Sequence, residues 1–325
     1  MATSNTIRLE PITVDNWRAA IDVRVTGDQL RLVADHQPIA LVILAKAHVA
    51  ALGRSWEPMA IVSERGIVGV VGIGHGDEDS VIANLAIDLH HQGSGNGQAA
   101  LAAVIAHCVA SDRKKITLTV DPDNQAATAL YERAGFAATG DMSDGEPEWT
   151  LDLANVLLTA AELVEPTVRL RDAWVDAHHE WGPGVHEDGF GLQPTDDVDS
   201  PTGFGSWVRR VSDERGGRRV FRWIVANDRV LGGIALRVGD DAVIQTMGNI
   251  GYGIRPSERR RGFATWALGR MIDEARTMGL ARLVLVCETA NHASAKTIVA
   301  NGGVLDDAST PGLDPVDRYT IDLAT

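Results

Sequence analysis

Apolar residues recur along the chain in two periods, one typical of strands and one typical of helices. Short runs rich in Val and Ile, bounded by turn residues, predict strands. Longer segments with apolar residues on one helical face predict helices, and a glycine marks where such a helix ends. In the first half these patterns predict four strands and two helices: Met59–Val62, Ile67–Ile73, Val81–Leu89, the helix Gln98–Val109, Ile116–Val120, and a helix from Asp123 or Asn124 to Arg133.

The second half of the chain repeats this order of elements. The corresponding segments are Phe221–Ala226, Val230–Val238, Gly248–Ile254, the helix Thr265–Thr277, Leu283–Cys287 and the helix Ala293–Asn301. Residues 87–135 align without a gap to residues 254–302, at a constant offset of 167 residues. The aligned pairs include turn glycines such as Gly95 and Gly262. A constant offset through turn and core positions indicates a duplicated domain. The period is too long for a solenoid, whose repeats are only about 20–50 residues long.

Strands that alternate with helices predict an α/β fold with a mixed sheet in each copy. The length of 325 residues fits two domains. We expect an N-terminal domain over residues 1–153, a linker over 154–166 and a C-terminal domain over 167–325. Leu151–Leu153 is predicted as the last strand of the first copy. Val168–Leu170 is predicted as the first strand of the second copy, in the position of Ile7–Leu9, and Pro166 supports a break before it.

The composition restricts the classes of partner. With 44 Asp and Glu against 30 Lys and Arg, the formal net charge is −14. This argues against nucleic-acid binding, which needs Lys and Arg at the phosphates, and is compatible with a cationic amine. Two cysteines exclude a disulfide scaffold, and we expect both thiols to be buried. No signal peptide or membrane-spanning stretch is predicted, so we expect a cytoplasmic protein without a membrane partner.

Each copy has a glycine-containing loop between a strand and a helix, at His90–Gly97 and at Arg259–Ala264. Backbone N–H groups at a helix N-terminus have no intrahelical partner, and the helix dipole adds about half a positive charge. Such a loop is therefore an anion site. It is not a dinucleotide fingerprint, because Gln98 stands where the third glycine is required, and no Walker A motif is present.

These loops and the residues downstream of them resemble the GNAT N-acetyltransferase family. Gln92-x-x-Gly95-x-Gly97 and Arg259-x-x-Gly262-x-Ala264 match the Gln/Arg-x-x-Gly-x-Gly/Ala loop of that family. Asn124 and the run Leu130–Phe136 match its second signature. The first half is similar to bacterial polyamine-type acetyltransferases. The second half resembles a GNAT subgroup through Gly251–Pro256 and Asn301–Gly303. The resemblance covers nearly the whole chain.

The resemblance implies two tandem GNAT acyl-CoA N-acyltransferase domains that use acetyl-CoA as co-substrate and no metal. The loop N–H groups are expected to hold the pyrophosphate. The fourth strand of each copy is expected to hold the pantetheine arm, as in β-strand addition, and to polarise the thioester carbonyl. The CoA-binding residues expected in the first copy are Leu85, Ala86, Ile87, Gln92, Gly93, Ser94, Gly95, Asn96, Gly97, Gln98 and Asn124. Those in the second copy are Tyr252, Gly253, Ile254, Arg259, Arg260, Arg261, Gly262, Phe263, Ala264 and Asn291. The two asparagines hold either the pantetheine or the following helix.

The two copies differ at the position of the family's catalytic tyrosine. The resemblance assigns Tyr131 as the acid that protonates the CoA thiolate, and the alternative is a ring that only packs in the core. Ile298 occupies this position in the second copy and has no proton to donate. The first loop has no Lys or Arg, whereas the second has three successive arginines. These arginines are either phosphate ligands or part of a solvated face. We favour the first copy for catalysis. The second is either another active site or a degenerate copy that supports the fold or binds CoA.

No motif identifies the general base. The family's glutamate on the fifth strand is replaced by Thr119 and Val286. The alternatives in the first copy are a chain of water molecules or one of four side chains: Glu57, His75, Glu78 and Asp88.

The second copy also contains a histidine-rich segment near its first helix. His178, His179 and His186 lack the accompanying Cys or paired carboxylates of a metal site, so we expect a substrate-side loop there. The stretch Trp181–Asp199 is rich in Gly, Pro and Asp and is predicted as a mobile lid or an acidic rim. The acceptor pockets are expected from the variable regions Asp15–Leu52 and Asp172–Val211.

The function expected from these features is an acetyl-CoA-dependent N-acetyltransferase that acts on a primary amine of a small molecule by direct attack. One alternative is a tandem acetyltransferase like mycothiol synthase, whose C-terminal copy works, and Ile298 counts against it. Another is an acetyl-CoA-binding sensor or structural protein without turnover. The duplication also allows a pseudo-dimer within one chain.

Overall fold

The computed structural model describes residues 7–34, 36–182, 189–213, 219–239, 242–306 and 316–323. The chain divides into two compact units, Met1–Asn155 and Val156–Thr325. Each unit is a mixed α/β arrangement, which confirms the predicted fold class. The repeat limits at residues 153 and 167 stay a prediction. Among the described residues, no helix combines the length and the apolar character that crossing a bilayer requires.

The first unit is a sheet with helices packed on it. Its strands are β1 (Arg8–Pro11), β2 (Ser55–Ser63), β3 (Gly66–His75), β4 (Asp79–Ile87), β5 (Lys115–Thr119), β6 (Ala137–Ser143) and β7 (Glu146–Asp152). Its helices are α1 (Trp17–Ile21), α2 (Gly27–Val33), α3 (Ile39–His48), α4 (Asn96–Ala110) and α5 (Gln125–Arg133). The strands lie in the order β1-β2-β3-β4-β5-β7-β6, and β4 and β5 are parallel neighbours.

The parallel strands β4 and β5 are paired only at their beginnings. Asp79–Val81 pairs with Lys115–Thr117, and the ladder ends there. Further along β4, Asn84 has a left-handed φ of 55°, and β4 bulges there, with Asn84 and Leu85 opposite Val71 of β3. A bulge bends its strand and redirects the backbone. The two strands therefore separate and leave a cleft between them.

Apolar side chains hold helices against both faces of this sheet. Ile39 and Ile43 of α3 pack in one buried cluster with Ala86 of β4. Leu101 and Val104 of α4 are at most 1% exposed. Full burial of such a side chain stabilises the fold by roughly 1.5–3 kcal/mol. The helix that begins at the first loop is thus fixed by its own apolar face.

The second unit repeats the arrangement with a wider break. Its strands are β8 (Glu162–Val164), β9 (Arg219–Ala226), β10 (Arg229–Arg237), β11 (Ile250–Ile254), β12 (Arg282–Glu288), β13 (Val304–Leu305) and β14 (Val316–Asp322). After α6 (Leu153–Thr159), which spans the division between the units, come α7 (Arg171–Trp181), α8 (Pro201–Val211), α9 (Ala242–Met247), α10 (Phe263–Thr277) and α11 (His292–Ala300). The strands form two ladders, β11-β10-β9-β8 and β12-β14-β13.

Among the described residues, the two ladders of the second unit are joined by contacts around Asn249. Gly248 and Leu285 form an isolated bridge between them. Beside it, Asn249 N–H donates to the Val284 carbonyl at 2.6 Å, and Val284 N–H donates to the Asn249 side chain at 2.7 Å. Beyond this contact β11 and β12 separate, and a second cleft opens between them.

Aromatic side chains fill the core of the second unit. Trp174, Trp207 and Trp223 are at most 1% exposed, and Phe190 and Phe204 are fully buried with them. The ring centroids of Trp174 and Trp207 are 4.6 Å apart. Both cysteines of the chain are also buried, as predicted.

The strand predicted at Val168–Leu170 is wrong. This segment is one turn of 3-10 helix, because the Thr167 hydroxyl accepts a hydrogen bond from the N–H of Arg169 and starts a helical turn. A three-residue alternation of apolar and polar residues does not distinguish such a turn from a strand. The pairing strand is β8, which lies inside the stretch predicted as a linker and pairs with β9.

A buried ion cluster supports the second loop. Glu258 is completely buried and lies 2.6 Å from Arg261 and 3.5 Å from Arg229. The Arg261 side chain is itself only 10% exposed. A buried carboxylate requires such compensation, because taking an ion out of water costs several kcal/mol. Arg261 therefore serves the fold, whereas Arg260 is exposed and forms no ion pair among the described residues.

We expect Arg261→Ala to lower the free energy of unfolding by about 3–5 kcal/mol, because it leaves Glu258 buried with a weakened counter-charge. Arg260→Ala is the matched control and is expected to change stability by less than about 0.5 kcal/mol. Denaturant unfolding followed by tryptophan fluorescence measures both. Equal stability of the two variants would contradict this role of Arg261.

Candidate active site

The first loop presents the uncapped N-terminus of α4. Gly93 and Gly95 have left-handed φ values of 76° and 82°, and the helix begins at Asn96. Gly95 occupies the N-cap position, and no side chain caps the first turn, which includes Gly97 and Gln98. The backbone N–H groups of this turn are therefore available to an anion such as a pyrophosphate.

Three side chains of the first loop stabilise the loop itself. The Gln92 side-chain amide donates to the Ile87 carbonyl at 2.8 Å. The amide of Asn96, which is 3% exposed, donates to the His91 carbonyl at 2.8 Å, and the Ser94 hydroxyl donates to the same carbonyl. CoA binding by Gln92, Ser94 and Asn96 stays a prediction, and it would use their backbone or the hydrogen-bonding atoms that these contacts leave free.

The second loop has the same backbone at the same offset. Arg260 and Gly262 have φ values of 64° and 86°, matching Gly93 and Gly95, and α10 begins at Phe263 without a side-chain cap. Arg259 donates from Nε to the Ile254 carbonyl at 3.0 Å. This is the contact that Gln92 makes in the first loop, 167 residues earlier.

The three arginines of the second loop have different surroundings. Arg261 forms an ion pair with the buried Glu258, and Arg259 donates to the end of β11 through Nε. Arg260 is exposed and lines the second cleft. The phosphate-binding role expected of all three stays a prediction.

The two asparagines hold the helices that follow them. Asn124 accepts from the N–H of Ala127 at 3.2 Å, and Asn291 accepts from that of Ser294 at 3.0 Å. Each is the N-cap of its helix, α5 or α11. Both also line their clefts. The contact to the following helix is formed in both copies, and contact with the pantetheine stays a prediction.

The cleft of the first unit has a volume of about 750 Å³. Leu85 of β4, Thr119 of β5 and Tyr131 of α5 all line it. The neighbouring Ala86 has its side chain buried beneath α3, so only its backbone atoms could contact a ligand on this strand. The Ile87 side chain approaches the start of α4, 3.9 Å from where a Gly97 Cβ would lie.

Tyr131 has the environment of a phenol that stays protonated. It is 8% exposed, and its ring centroid lies 5.6 Å from that of Phe136. Burial raises the pKa of Tyr131 to about 12, and the nearby Glu146 carboxylate adds to this increase. At neutral pH the hydroxyl is therefore a hydrogen-bond donor at the wall of the cleft.

The cleft of the second unit has a volume of about 1000 Å³. It collects most of the residues predicted to bind CoA there: Tyr252, Gly253, Ile254, Arg259, Arg260, Gly262, Phe263, Ala264 and Asn291. Ile298, the counterpart of Tyr131, is 1% exposed and packs at the end of α11.

The second cleft has a phenol in another position. The Tyr252 hydroxyl is 2.8 Å from Oγ of Ser294, and both residues line the cleft. Tyr252 stands where the first copy has Leu85, on the strand instead of the helix. The signal in the sequence is a tyrosine in the fourth strand of one copy only, whereas the family motif has its tyrosine on the helix.

The four side chains considered as general bases lie outside the first cleft. Glu57 and His75 belong to a cluster with His107 on the other face of the sheet. Glu78 pairs with Lys114 at the surface. Asp88 accepts from the N–H groups of Arg24 and His90 and so organises the turn after β4.

Other carboxylates line the first cleft. Asp79 does so but is held by both guanidinium nitrogens of Arg54, at 2.8 and 2.9 Å, and this hydrogen bonding lowers the pKa of Asp79. Asp144, Glu146 and Glu148 line the cleft near the turn between β6 and β7. The sequence did not single them out, because their place at the cleft depends on β7 pairing with β5.

The histidine-rich segment of the second unit is largely structural where it is described. His178 stacks on Trp174 with ring centroids 4.9 Å apart, and His179 lies 3.9 Å from Asp199. His186 lies outside the described residues. Phe190 is fully buried against Trp174, so that part of the predicted lid is anchored in the core.

Two family models match the chain in tandem. The model described as "Acetyltransferase (GNAT) family" matches residues 35–136, and the one described as "Acetyltransferase (GNAT) domain" matches residues 173–304. The first match contains the loop before α4 and Tyr131. The second contains the loop before α10 and Tyr252.

Individual proteins are also similar to parts of the chain. A probable spermine N(1)-acetyltransferase of Bacillus subtilis subsp. natto is 28% identical over 145 residues, which are 42% of this chain and 91% of that protein. A mycothiol acetyltransferase of Kocuria rhizophila is 37% identical over 97 residues, 26% of this chain and 32% of that protein. A solved spermidine N-acetyltransferase from Vibrio cholerae, in complex with CoA and spermine, has a TM-score of 0.39 at 14% identity and covers 46% of this chain and 96% of its own. On the two tandem family matches, the chain belongs to the GNAT acetyltransferases and carries two GNAT domains.

Proposed function

We propose that the first domain transfers the acetyl group of acetyl-CoA to a primary amine of a small molecule. The observation that carries this proposal is the position of Tyr131. It is a protonated phenol at the wall of a cleft that also contains Leu85 and Asn124. The uncapped N-terminus of α4 supplies N–H groups for the pyrophosphate of CoA.

The proposed reaction is a direct transfer. Acetyl-CoA supplies an activated acyl group. The neutral amine forms the new C–N bond as the C–S bond breaks. The amine gives one proton to solvent water, the departing sulfur gains one from Tyr131, and the phenolate then regains a proton from water. Tyr131 donates at that sulfur, first as a hydrogen bond and then as the proton itself. Unpaired backbone groups where β4 leaves β5 stabilise the oxyanion of the carbonyl.

The proposed acceptor is a cationic amine. Asp144, Glu146 and Glu148 bring carboxylates to the cleft, and a polyamine in its charged form is attracted to them. The chain's net charge of −14 acts in the same direction. The spermine and spermidine acetyltransferases among the relatives support this class of substrate.

We expect Tyr131→Phe to lower kcat by about 10- to 10⁴-fold, because it removes the proton donor and leaves the ring in place. Tyr319→Phe is the matched control, since Tyr319 is a buried tyrosine of β14 that lines neither described cleft. Release of CoA thiol is measured over a panel of polyamines and other primary amines. Unchanged turnover in the Tyr131 variant removes this residue from the mechanism.

The raised pKa of Tyr131 makes a separate prediction. The folded pKa of about 12 lies above the ordinary value of about 10, so the folded protein holds this proton more strongly than the unfolded chain. The associated stability is complete below pH 10 and is lost as the pH rises from about 10 to 12. In an absorbance titration of phenolate, Tyr131→Phe should remove a step near pH 12. Loss of a step near pH 10 instead would contradict the burial of this phenol.

We propose that the second domain binds CoA in the same way, through the backbone N–H groups at an uncapped helix N-terminus. Gly97 and Ala264 occupy equivalent positions in the first turns of α4 and α10. Space for a side chain exists at Gly97, where an added Cβ meets other atoms only at 3.9 Å. An aspartate at either position fits a helix N-terminus but repels a pyrophosphate.

We expect full-length protein to bind two equivalents of acetyl-CoA in calorimetry, and Gly97→Asp and Ala264→Asp each to lose one. Gly97→Asn is the uncharged control of similar size and should keep most of the affinity. Acetyl transfer should be lost with Gly97→Asp. If Ala264→Asp abolishes transfer instead, the second domain is the catalytic one. Binding of acetyl-CoA without transfer to any amine of the panel would favour the sensor.

A further inference from the structure

Three metal-ligating side chains of the first unit converge on the face of the sheet opposite the cleft. Glu57 lies on β2, His75 ends β3 and His107 lies in the last part of α4. Their ligand atoms all lie within 4.8 Å of one another. Trp56 lines the cleft, and successive side chains of a strand point to opposite faces, so Glu57 points away from the cleft. We call these three residues the EHH cluster.

His75 is the most buried member of the EHH cluster, and its ring is held in one orientation. Its Nδ1 lies 2.8 Å from Oγ of Ser80, a residue with no exposed surface. Its Nε2 is buried and has no hydrogen-bond partner among the described residues. The 3.5 Å from this nitrogen to Oε1 of Glu57 exceeds a normal hydrogen bond. A buried polar atom without a partner requires a compensating contact, and a metal ion supplies one.

Glu57 joins the two histidines. Its Oε2 lies 2.6 Å from Nε2 of His107, while its Oε1 faces His75. The side chains of Glu57 and His107 are 41% and 29% exposed, so an ion can reach the cluster from solvent. The ring centroids of the two histidines are 6.1 Å apart, close enough for both to ligate one ion.

We propose that the EHH cluster is a binding site for a divalent transition-metal ion, best matched by Zn²⁺. Two imidazoles and one carboxylate are the protein ligands of open zinc sites, with water in the fourth position. Zinc bonds of about 2.0–2.1 Å place tetrahedral ligand atoms roughly 3.3 Å apart. The 3.5 Å between His75 and Glu57 is close to this spacing, and the 2.6 Å between His107 and Glu57 is a hydrogen bond that the bound ion would replace as these two side chains move apart. Mg²⁺ and Ca²⁺ are poorer matches, because they prefer oxygen ligands.

The position of the ion determines what it does. It ties the end of α4 to β2 and β3, while the beginning of the same helix carries the first loop. Ser80 is the outer partner that fixes the ring of His75, as hydrogen-bonded neighbours of metal ligands commonly do. The ion therefore stabilises the seating of α4 and takes no part in acetyl transfer.

The test uses metal-free full-length protein titrated with Zn²⁺ alone in calorimetry and with Co²⁺ by visible absorption. We expect one equivalent of Zn²⁺ at this site, the absorption of a low-symmetry Co²⁺ complex, and a rise in the thermal unfolding midpoint with Zn²⁺. Mg²⁺ at the same concentration should give none of these changes.

Variants identify the ligands. His107→Ala removes the more exposed histidine and should weaken Zn²⁺ binding by about 100-fold or more, and Ser80→Ala, which frees the ring of His75, should weaken it by about 10- to 100-fold. His48→Ala, an exposed histidine at the end of α3, is the matched control and should bind as the unmodified chain does. Circular dichroism of each metal-free variant confirms that it is folded.

Two results would overturn the proposal: no Zn²⁺ binding by the unmodified chain, or equal affinity in His107→Ala and His48→Ala. Acetyl transfer is assayed separately with and without Zn²⁺. Because no member of the cluster lines the first cleft, failure of the metal site leaves the proposed transferase reaction intact, and the reverse also holds.

Discussion

The loops before α4 and α10 depend on one constraint, a left-handed glycine immediately before a helix. Gly95 and Gly262 have φ values of 82° and 86°, a region that residues with a Cβ adopt only at a cost of about 1–2 kcal/mol. This turn joins a strand end to the helix axis without a capping side chain. No side chain therefore caps the first N–H groups of α4 and α10, and the start of α10 lines the second cleft.

The duplication keeps the hydrogen bonds of the backbone and changes the chemistry around them. A side chain in each loop, Gln92 or Arg259, donates to the last carbonyl of the preceding strand. An asparagine caps the next helix in each copy. Only after these requirements are met do the copies differ. One has a phenol on α5, and the other has its phenol on β11, facing Ser294.

Periodicity and the 167-residue offset predicted the helices and strands well, because buried faces and turn glycines are local signals. The failures come from individual side-chain contacts, which hydrophobic periodicity does not encode. Val168–Leu170 has the alternation of a strand, but the hydroxyl of Thr167 turns it into a helical turn. In the sequence Arg261 resembles a phosphate ligand, but in the structure it forms an ion pair with the buried carboxylate of Glu258.

The candidate site was predictable only where a motif continues through a single strand, loop and helix. Tyr131 and Asn124 were predicted as site residues in this way. The carboxylates of Glu146 and Glu148 reach the same cleft through the pairing of β7 with β5, a contact between segments about 30 residues apart that no local pattern encodes. His107 likewise meets Glu57 across 50 residues, only because α4 folds over β2.

The backbone conformation of Arg260 affects both stability and charge at the second cleft. Its φ of 64° lies in the left-handed region, and the equivalent position of the first copy is Gly93. An arginine there weakens folding by about 1–2 kcal/mol and places a guanidinium beside an uncapped helix terminus that is already electropositive. Arg260 thus raises the electrostatic potential at the mouth of the second cleft at a cost in conformational stability.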